Sequence, residues 1–531
     1  MKNPSKKFPQ GVLVALCILF SLCVVLQSCG RPSAPVTSDE AVGQVVSSAA
    51  ETVPPEEEDG FFQKVKGFFT EKTANQETEQ AASSKSTGSA QIGQERIPLP
   101  VSPTNVGSGA QASSAAAMTK PFLTTAPTIA PSKEPDTHPG TVPPSTSPIP
   151  STGDGGEELR AVWISYYELS MKAQKGGTEA SFRQKISGMF QSVASAGFNT
   201  IIVQVRPFSD AFYPSGVYPW SAYLTGTQGE APGYDPLHIM TEQAHHYGLS
   251  LHAWINPYRV SSSSDISALS PSNPARKWLE DENPENDSWV VFTGGGLYYN
   301  PTVPQVRGLI VAGVKEVIEH YPVDAIHLDD YFYPSTDEKI DQKQYDAYTG
   351  SGGTRSRSDW RRENVSSMMR DLYAAVKSID SRVLVGVSPA GDVARNRNSL
   401  YADVEKWGSQ KGYVDYLMPQ LYYGFENSSK PFEKTARQWA SIVTNSRVQL
   451  FAGLAIYKSG KEDVWAGKES DKQDTPRYEW MRRHDLIARQ VELLRSIPSY
   501  SGFALFSYRY TFGGNCSGSV KQEMQNLYDI L

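Results

Sequence analysis

From Arg160 to Leu531, short apolar, β-branched runs alternate with stretches whose apolar residues recur at helical spacing. The runs predict strands at Ala161–Ser165, Thr200–Val205, Leu249–Ile255, Asp324–Asp329, Val383–Ser388, Val414–Gln420, Gln449–Leu454 and Gly502–Ser507. Helical stretches are predicted between them, for example at Phe182–Ala196, Pro236–Tyr247, Pro304–His320, Asp359–Ser378, Phe432–Thr444 and His484–Ser496. Eight repeats of β then α point to a (β/α)8 TIM barrel. A doubly wound open sheet normally has fewer strands and a glycine-rich phosphate turn after the first, and no such turn is found.

Alternation inside the strands supports closure. In NTIIVQVR, Ile201, Val203 and Val205 share one face, and Ile202, Gln204 and Arg206 the other. In DAIHLDD, Ile326 and Leu328 face one way and Ala325, His327 and Asp329 the other. Large apolar residues should meet the surrounding helices and the second face the barrel axis, so polar groups gather inside, toward the carboxyl ends of the strands. In this fold that end carries the site.

The pattern changes upstream. Lys2, Lys6 and Lys7 precede an apolar run from Gly11 to Leu26, too short for a comfortable membrane span and typical of an export signal. Leu26-Gln27-Ser28-Cys29 resembles a bacterial lipobox, which predicts that residues 1–28 are a signal peptide and that Cys29 is lipidated. Acyl chains would then hold the protein to a membrane at the cell envelope, each buried CH2 contributing about 0.8 kcal/mol. An ordinary secretory signal with an incidental cysteine is the alternative. Residues 29–157 are rich in Ser, Thr, Pro, Ala and Gly, a composition that cannot bury enough apolar surface to offset the entropy of ordering. They read as a tether of roughly 60 Å average span, taking about 5–6 Å × √n. Phe61, Phe62, Val65, Phe68 and Phe69 interrupt it at helical spacing, open to a membrane-surface, transient-helix or docking reading. The barrel occupies residues 158–531.

Cys17 and Cys23 fall in the signal, so beyond Cys29 only Cys516 remains and no internal disulfide can form. The net charge of −7 over 531 residues is mild, and without a basic stripe nucleic acid is not an expected partner. His245 and His246 lack a third ligand at metal spacing, and no metal or other cofactor is expected.

The strand ends supply the candidate chemistry: Arg206 and Asp210 after the second; His252, Trp254, Asn256 and Arg259 around the third; His327, Asp329, Asp330 and Tyr331 at the fourth. Asp392 follows the fifth, Gln420, Tyr422, Tyr423 and Glu426 the sixth, and Tyr508 and Arg509 the eighth. Carboxylates that move protons, amides and guanidinia that bind hydroxyls, and flat rings that stack on pyranoses suit a sugar site. Adjacent carboxylates such as Asp329-Asp330 raise at least one pKa if they share that site, as a general acid requires. Otherwise one of the pair caps the following turn or pairs with Arg206 or Arg259. Phe292–Asn300 reads as a substrate loop, Thr349–Ser358 as a flexible exposed insert, and Asp415, at a strand start, as structural.

RAVWIS, FNTIIVQVRPFSDAFYPS, HAWINPYR, YYNPTVPQVR, VDAIHLDDYFYP and DYLMPQLYYGF closely resemble the bacterial glycosyl-hydrolase-like family 10 domain over nearly all of Leu159–Leu531. The resemblance implies a TIM-barrel glycosidase of the cell envelope, acting in some lipoprotein members on peptidoglycan strands stripped of peptides. It places the family's acidic block on Asp329 and Asp330 and its Pro-Gln-aromatic block on Pro419, Gln420 and Tyr422. Paired glutamates at the ends of strands four and seven, as in the large retaining clan, are missing. The adjacent aspartates instead resemble those of substrate-assisted N-acetylhexosaminidases. On that likeness Asp329 orients a 2-acetamido group and Asp330 is the general acid/base; a conventional pair of Asp330 with Asp392 or Glu426 is the alternative. Arg206, Asp210, His252, Trp254, Asn256, Arg259, Tyr331, Gln420 and Tyr422 are the expected substrate contacts. Two other readings remain: a non-catalytic glycan-binding module, and a hydrolase of an external polysaccharide. Oligomeric state is left open.

Overall fold

The computed structural model describes residues 157–468, 472–514 and 516–531. The signal peptide, Cys29 and the tether lie outside the described residues. Eight parallel strands close into a barrel: β1 Leu159–Ile164, β2 Thr200–Arg206, β3 Ser250–Ile255, β4 Ala325–Leu328, β5 Leu384–Val387, β6 Tyr416–Leu417, β7 Gln449–Leu454 and β8 Tyr500–Leu505. Round the barrel the order is β1-β8-β7-β6-β5-β4-β3-β2, each strand hydrogen-bonded to its sequence neighbours and β8 closing onto β1. The predicted eight strands and their closure are therefore observed, with β6 the shortest.

A helix follows each strand: α1 Glu179–Ser195, α2 Pro236–His246, α3 Pro304–His320, α4 Arg357–Ile379, α5 Val404–Ser409, α6 Phe432–Ile442, α7 Leu486–Arg495 and α8 Gly518–Tyr528. Local chemistry sets several of their starts. Thr178 and Ser181 form a capping box before α1, and Asp235 caps α2 with Pro236 in the first turn, where a missing N–H costs nothing. None of the helices among the described residues is long and apolar enough to cross a membrane.

Two apolar layers result. The outer one packs Ile201, Val203, Ile326 and Leu328 against the helices; the inner one holds Ala161, Trp163, Ile202, Trp254, Ala325, Tyr416, Phe451 and Ala504. Small residues stand opposite large ones in the inner layer. A Cβ on Gly386 of β5 would stand 1.8 Å from the Tyr416 ring, and one on Gly453 of β7 would stand 2.9 Å from Trp163. Glycine at both positions lets the aromatic rings cross the axis.

The β3–α3 connection carries a separate antiparallel sheet of Arg259–Ser261, Val290–Thr293 and Gly296–Tyr299, with the last strand central. The stretch expected to be a substrate loop is thus largely a hairpin. Gly294 and Gly295, at φ of 59° and 78°, make its two-residue turn, which requires left-handed backbone at both positions. The 349–358 stretch is mostly exposed, as an insert should be. It ends the helix Gln342–Gly350 and enters α4, held by bonds from Arg355 N to Tyr348 Oη at 3.0 Å and from Tyr345 Oη to Arg355 O at 3.0 Å. Asp415 accepts from Val385 N at 2.7 Å and pairs with Lys377 at 2.8 Å, a structural role at the start of β6.

Candidate active site

The strand pleat places Asp329. Ala325 and His327 point to the axis, so Asp329, two residues on, enters the mouth from inside and is only 3% exposed. Its Oδ2 accepts from Trp254 Nε1 at 3.0 Å and Asn256 Nδ2 at 2.5 Å, both from the end of β3; Oδ1 accepts from Tyr331 N at 3.3 Å. Burial first, then the charge of Asp330, pushes its pKa up to about 7, against the pull of Arg259 and the hydrogen bonds. The pair therefore shares one site, and the inner carboxylate carries the shift.

Asp330 is half-buried at the mouth, and its Oδ1 accepts from Gln420 Nε2 at 3.0 Å. The same Gln420 nitrogen donates to Ser388 O at 3.1 Å, which ties the ends of β5 and β6 to the acid. Tyr422 lies within electrostatic range of both aspartates, its ring 6.0 Å from Phe506 and 5.8 Å from Tyr457. Arg259 stacks on Phe208 at 4.4 Å and on Tyr331 at 4.9 Å, so one cation is held against two aromatic rings within electrostatic range of Asp329. The structure thus brings Asp329, Asp330, Trp254, Asn256, Arg259, Tyr331, Gln420 and Tyr422 together.

It places three other expected contacts elsewhere. Arg206 was expected to face inward with Gln204. A register shift between Gln204 and Arg206 pairs it instead with Ile255, whose side chain belongs to the outer layer. A bulge of this kind re-aims the side chain. Arg206 is fully buried, its guanidinium 4.6 Å from the Tyr218 ring, and Tyr218 bonds to Leu309 O of α3. Asp210 lies with it, near Ser221 and Gln228 beneath the β2–α2 loop, and burial raises its pKa to about 6.

His252 sits in the barrel floor, one inward position before Trp254. Burial pushes its pKa down to about 4 and that of His327 well below the ordinary range, so both rings are neutral. Donor logic then orients a four-residue chain. Trp163 Nε1 can only donate, and at 3.4 Å His327 Nε2 accepts. His327 Nδ1 therefore carries the proton and donates to Tyr416 Oη at 2.8 Å, leaving the Tyr416 hydroxyl to donate to His252 Nδ1 at 2.9 Å.

The alternative partners for Asp330 are otherwise engaged. Asp392 caps a short helix at Ala394 N and pairs with Lys430 at 2.8 Å. Glu426 is exposed and bound to Arg482 at 2.5 Å. Sequence reasoning missed Glu168, after β1, which accepts from Ser165 N at 3.0 Å and from Arg509 N at 3.3 Å, joining the ends of β1 and β8. Its capping-box spacing to Ser165 was the available signal. Among the described residues, no three His, Cys, Asp or Glu side chains are grouped to hold a metal ion.

The family model described as glycosyl hydrolase-like 10 matches residues 158–467. The glycosyl hydrolase YngK of Bacillus subtilis is 36% identical over 376 residues, covering 67% of this chain and 70% of that protein. The glycosyl hydrolase DigH of Escherichia coli K12 is 31% identical over 398 residues, covering 69% and 86%. Among solved structures, the PgaB glycoside hydrolase domain of Bordetella bronchiseptica aligns with a TM-score of 0.47 at 12% identity, over 70% of this chain and 99% of that one.

Proposed function

Because the chain belongs to the glycosyl hydrolase-like 10 family and is a glycoside hydrolase, we propose that it cleaves the glycan strands of peptidoglycan, chiefly strands freed of peptides, from a lipid anchor at Cys29. The adjacent pair Asp329-Asp330 carries the reading. One carboxylate is gripped on a single oxygen by two N–H donors, and the other stands half-buried beside it. The only other carboxylates weighed as partners, Asp392 and Glu426, are tied to cations and a helix cap. Such a site suits a sugar that supplies its own nucleophile.

In this mechanism the proton that burial keeps on Asp329 in the resting site passes to Asp330, which gives it to the glycosidic oxygen as the C1–O bond breaks. The carbonyl oxygen of the 2-acetamido group closes onto C1, and Asp329, as the anion, accepts a hydrogen bond from the acetamido N–H. Water then opens the ring intermediate, its proton passing to Asp330, and the configuration at C1 is retained. MurNAc and GlcNAc both carry the required group. The tether and anchor, read from Leu26–Cys29 and residues 29–157, would let the barrel search a wall while staying bound to a membrane.

The full-length protein should release new reducing ends from peptide-free strands, and Asp330→Asn should lower turnover by about 10²–10⁴-fold, the usual worth of a general acid. Fluorination of the acetamido methyl group, which weakens its oxygen as a nucleophile, should slow the wild-type enzyme progressively. A rate indifferent to fluorination would rule out substrate assistance, and full activity in both Asp329→Asn and Asp330→Asn would rule out the pair.

A further inference from the structure

Gln204 has no place in the chemistry above, yet it is buried at the axis end of β2 and is 1% exposed. Its hydrogen bonds have one possible direction. Tyr166 N, after β1, is a backbone donor, and Gln204 Oε1 accepts from it at 3.2 Å. The Gln204 amide nitrogen must therefore face Asn256, where it donates to Oδ1 at 2.5 Å. That in turn leaves Asn256 only its own N–H to offer Asp329, at 2.5 Å. A backbone N–H just after β1 thus sets, through two amides, which end of Asn256 the carboxylate meets.

We propose that Gln204 is a positioning residue that locks the Asn256 amide with its N–H toward Asp329 and so holds Asp329 as the anion that receives the substrate's acetamido N–H. The inference rests on the assignment of Asp329 made above. Without the lock the Asn256 amide can turn its carbonyl to Asp329, which favours the protonated acid. A buried network whose members orient one another fixes a single arrangement only while all of them are present. The other groups facing Asp329 are Asp330 on its own strand, Arg259 from the small sheet, Trp254 of β3 and Tyr331 and Tyr422 above. Gln204 uses its amide on Tyr166 N and Asn256, so its removal leaves those charges in place.

The test is the pH profile of kcat/KM for the full-length protein and its Gln204→Met form, with peptide-free peptidoglycan strands as substrate. Gln204→Met keeps length and apolar fit but has no N–H for Asn256. The acid limb should move up by about one pH unit, with turnover recovering toward wild type above it. A double-mutant cycle on urea unfolding should show coupling between Gln204→Met and Asp329→Asn. An unmoved acid limb together with additive stabilities would overturn the proposal. If Gln204→Met fails to fold, Gln204→Leu answers the same question, since it too offers Asn256 no hydrogen and adds no charge near Asp329. An active Asp329→Asn would instead remove the aspartate assignment itself, whereas an inactive one with an unmoved limb would remove only the lock.

Discussion

Asp329→Asn should make the protein more stable at neutral pH while it removes activity. Asp329 is buried, and its pKa stands at about 7 against an ordinary 3.8. A carboxyl whose folded value is raised binds its proton more tightly in the native state, so its contribution is fully present below about pH 4 and is lost as the pH climbs through 7. Three units at 1.36 kcal/mol each put the burden of ionisation near 4 kcal/mol at pH 8. The introduced amide carries no charge. Its oxygen can accept from Trp254 and Asn256 as Oδ2 does, but its nitrogen then faces Tyr331 N, where a 3.3 Å bond is lost at a cost of about 1 kcal/mol. The net expectation is a gain of about 2–3 kcal/mol at pH 8 and none, or a small loss, at pH 4. Urea unfolding at both pH values, wild type beside variant, measures it. Asp210 and Glu523 carry raised values too, at about 6 and about 7, so the wild-type slope alone decides nothing; the difference between the two proteins does. A variant less stable at pH 8, or a difference that does not change with pH, would refute the reasoning.

Other substitutions probe the frame and the rim. Gly386→Ala puts a methyl group into the Tyr416 ring and should cost about 1–3 kcal/mol or more, read as a fall in melting temperature. Gly308→Ala on the exposed side of α3, where nothing lies within 4 Å of the new methyl, should instead gain up to about 1 kcal/mol. Arg361→Met removes the bonds of 2.6 and 2.8 Å to buried Asp341, beneath the loop that follows the acids, and leaves it Arg357 at 2.9 Å and Tyr333. A loss of about 2–3 kcal/mol in urea unfolding is expected. Trp465, 54% exposed on the β7–α7 loop at the site end of the barrel, should be replaceable by Ala within about 0.5 kcal/mol of stability, while turnover of long strands falls relative to short ones.

The barrel was legible because its strands obey a period of two that local residues alone establish. Ile201/Val203 and Ile202/Gln204 sort to opposite layers as their alternation requires. That same rule misplaced Arg206, because a bulge is a property of a strand pair and leaves no mark in one strand's own pattern. The acids were legible because two carboxylates in succession at a strand end are costly without a use. Which of them would carry the raised pKa was not, since that depends on Trp254, Asn256 and Arg259 converging from other elements. Gln204 passed as one more inward polar residue, for its importance lies in the direction of its bonds rather than in its type. The glycines of 294–295 marked a turn, but only cross-strand pairing shows that the turn closes a hairpin.

The oriented chain Trp163–His327–Tyr416–His252 has a consequence for descent. Each member's donor or acceptor role is assigned by the one before, so no single replacement leaves the rest satisfied. Tyr416→Phe would orphan one nitrogen on each histidine at once, in a floor where both rings must stay neutral. Such a quartet should be inherited as one unit. Across relatives, positions 163, 252, 327 and 416, together with the glycine at 386 that makes room for the tyrosine, should change jointly or not at all. A lineage that lost the tyrosine should show an apolar floor in all of these places.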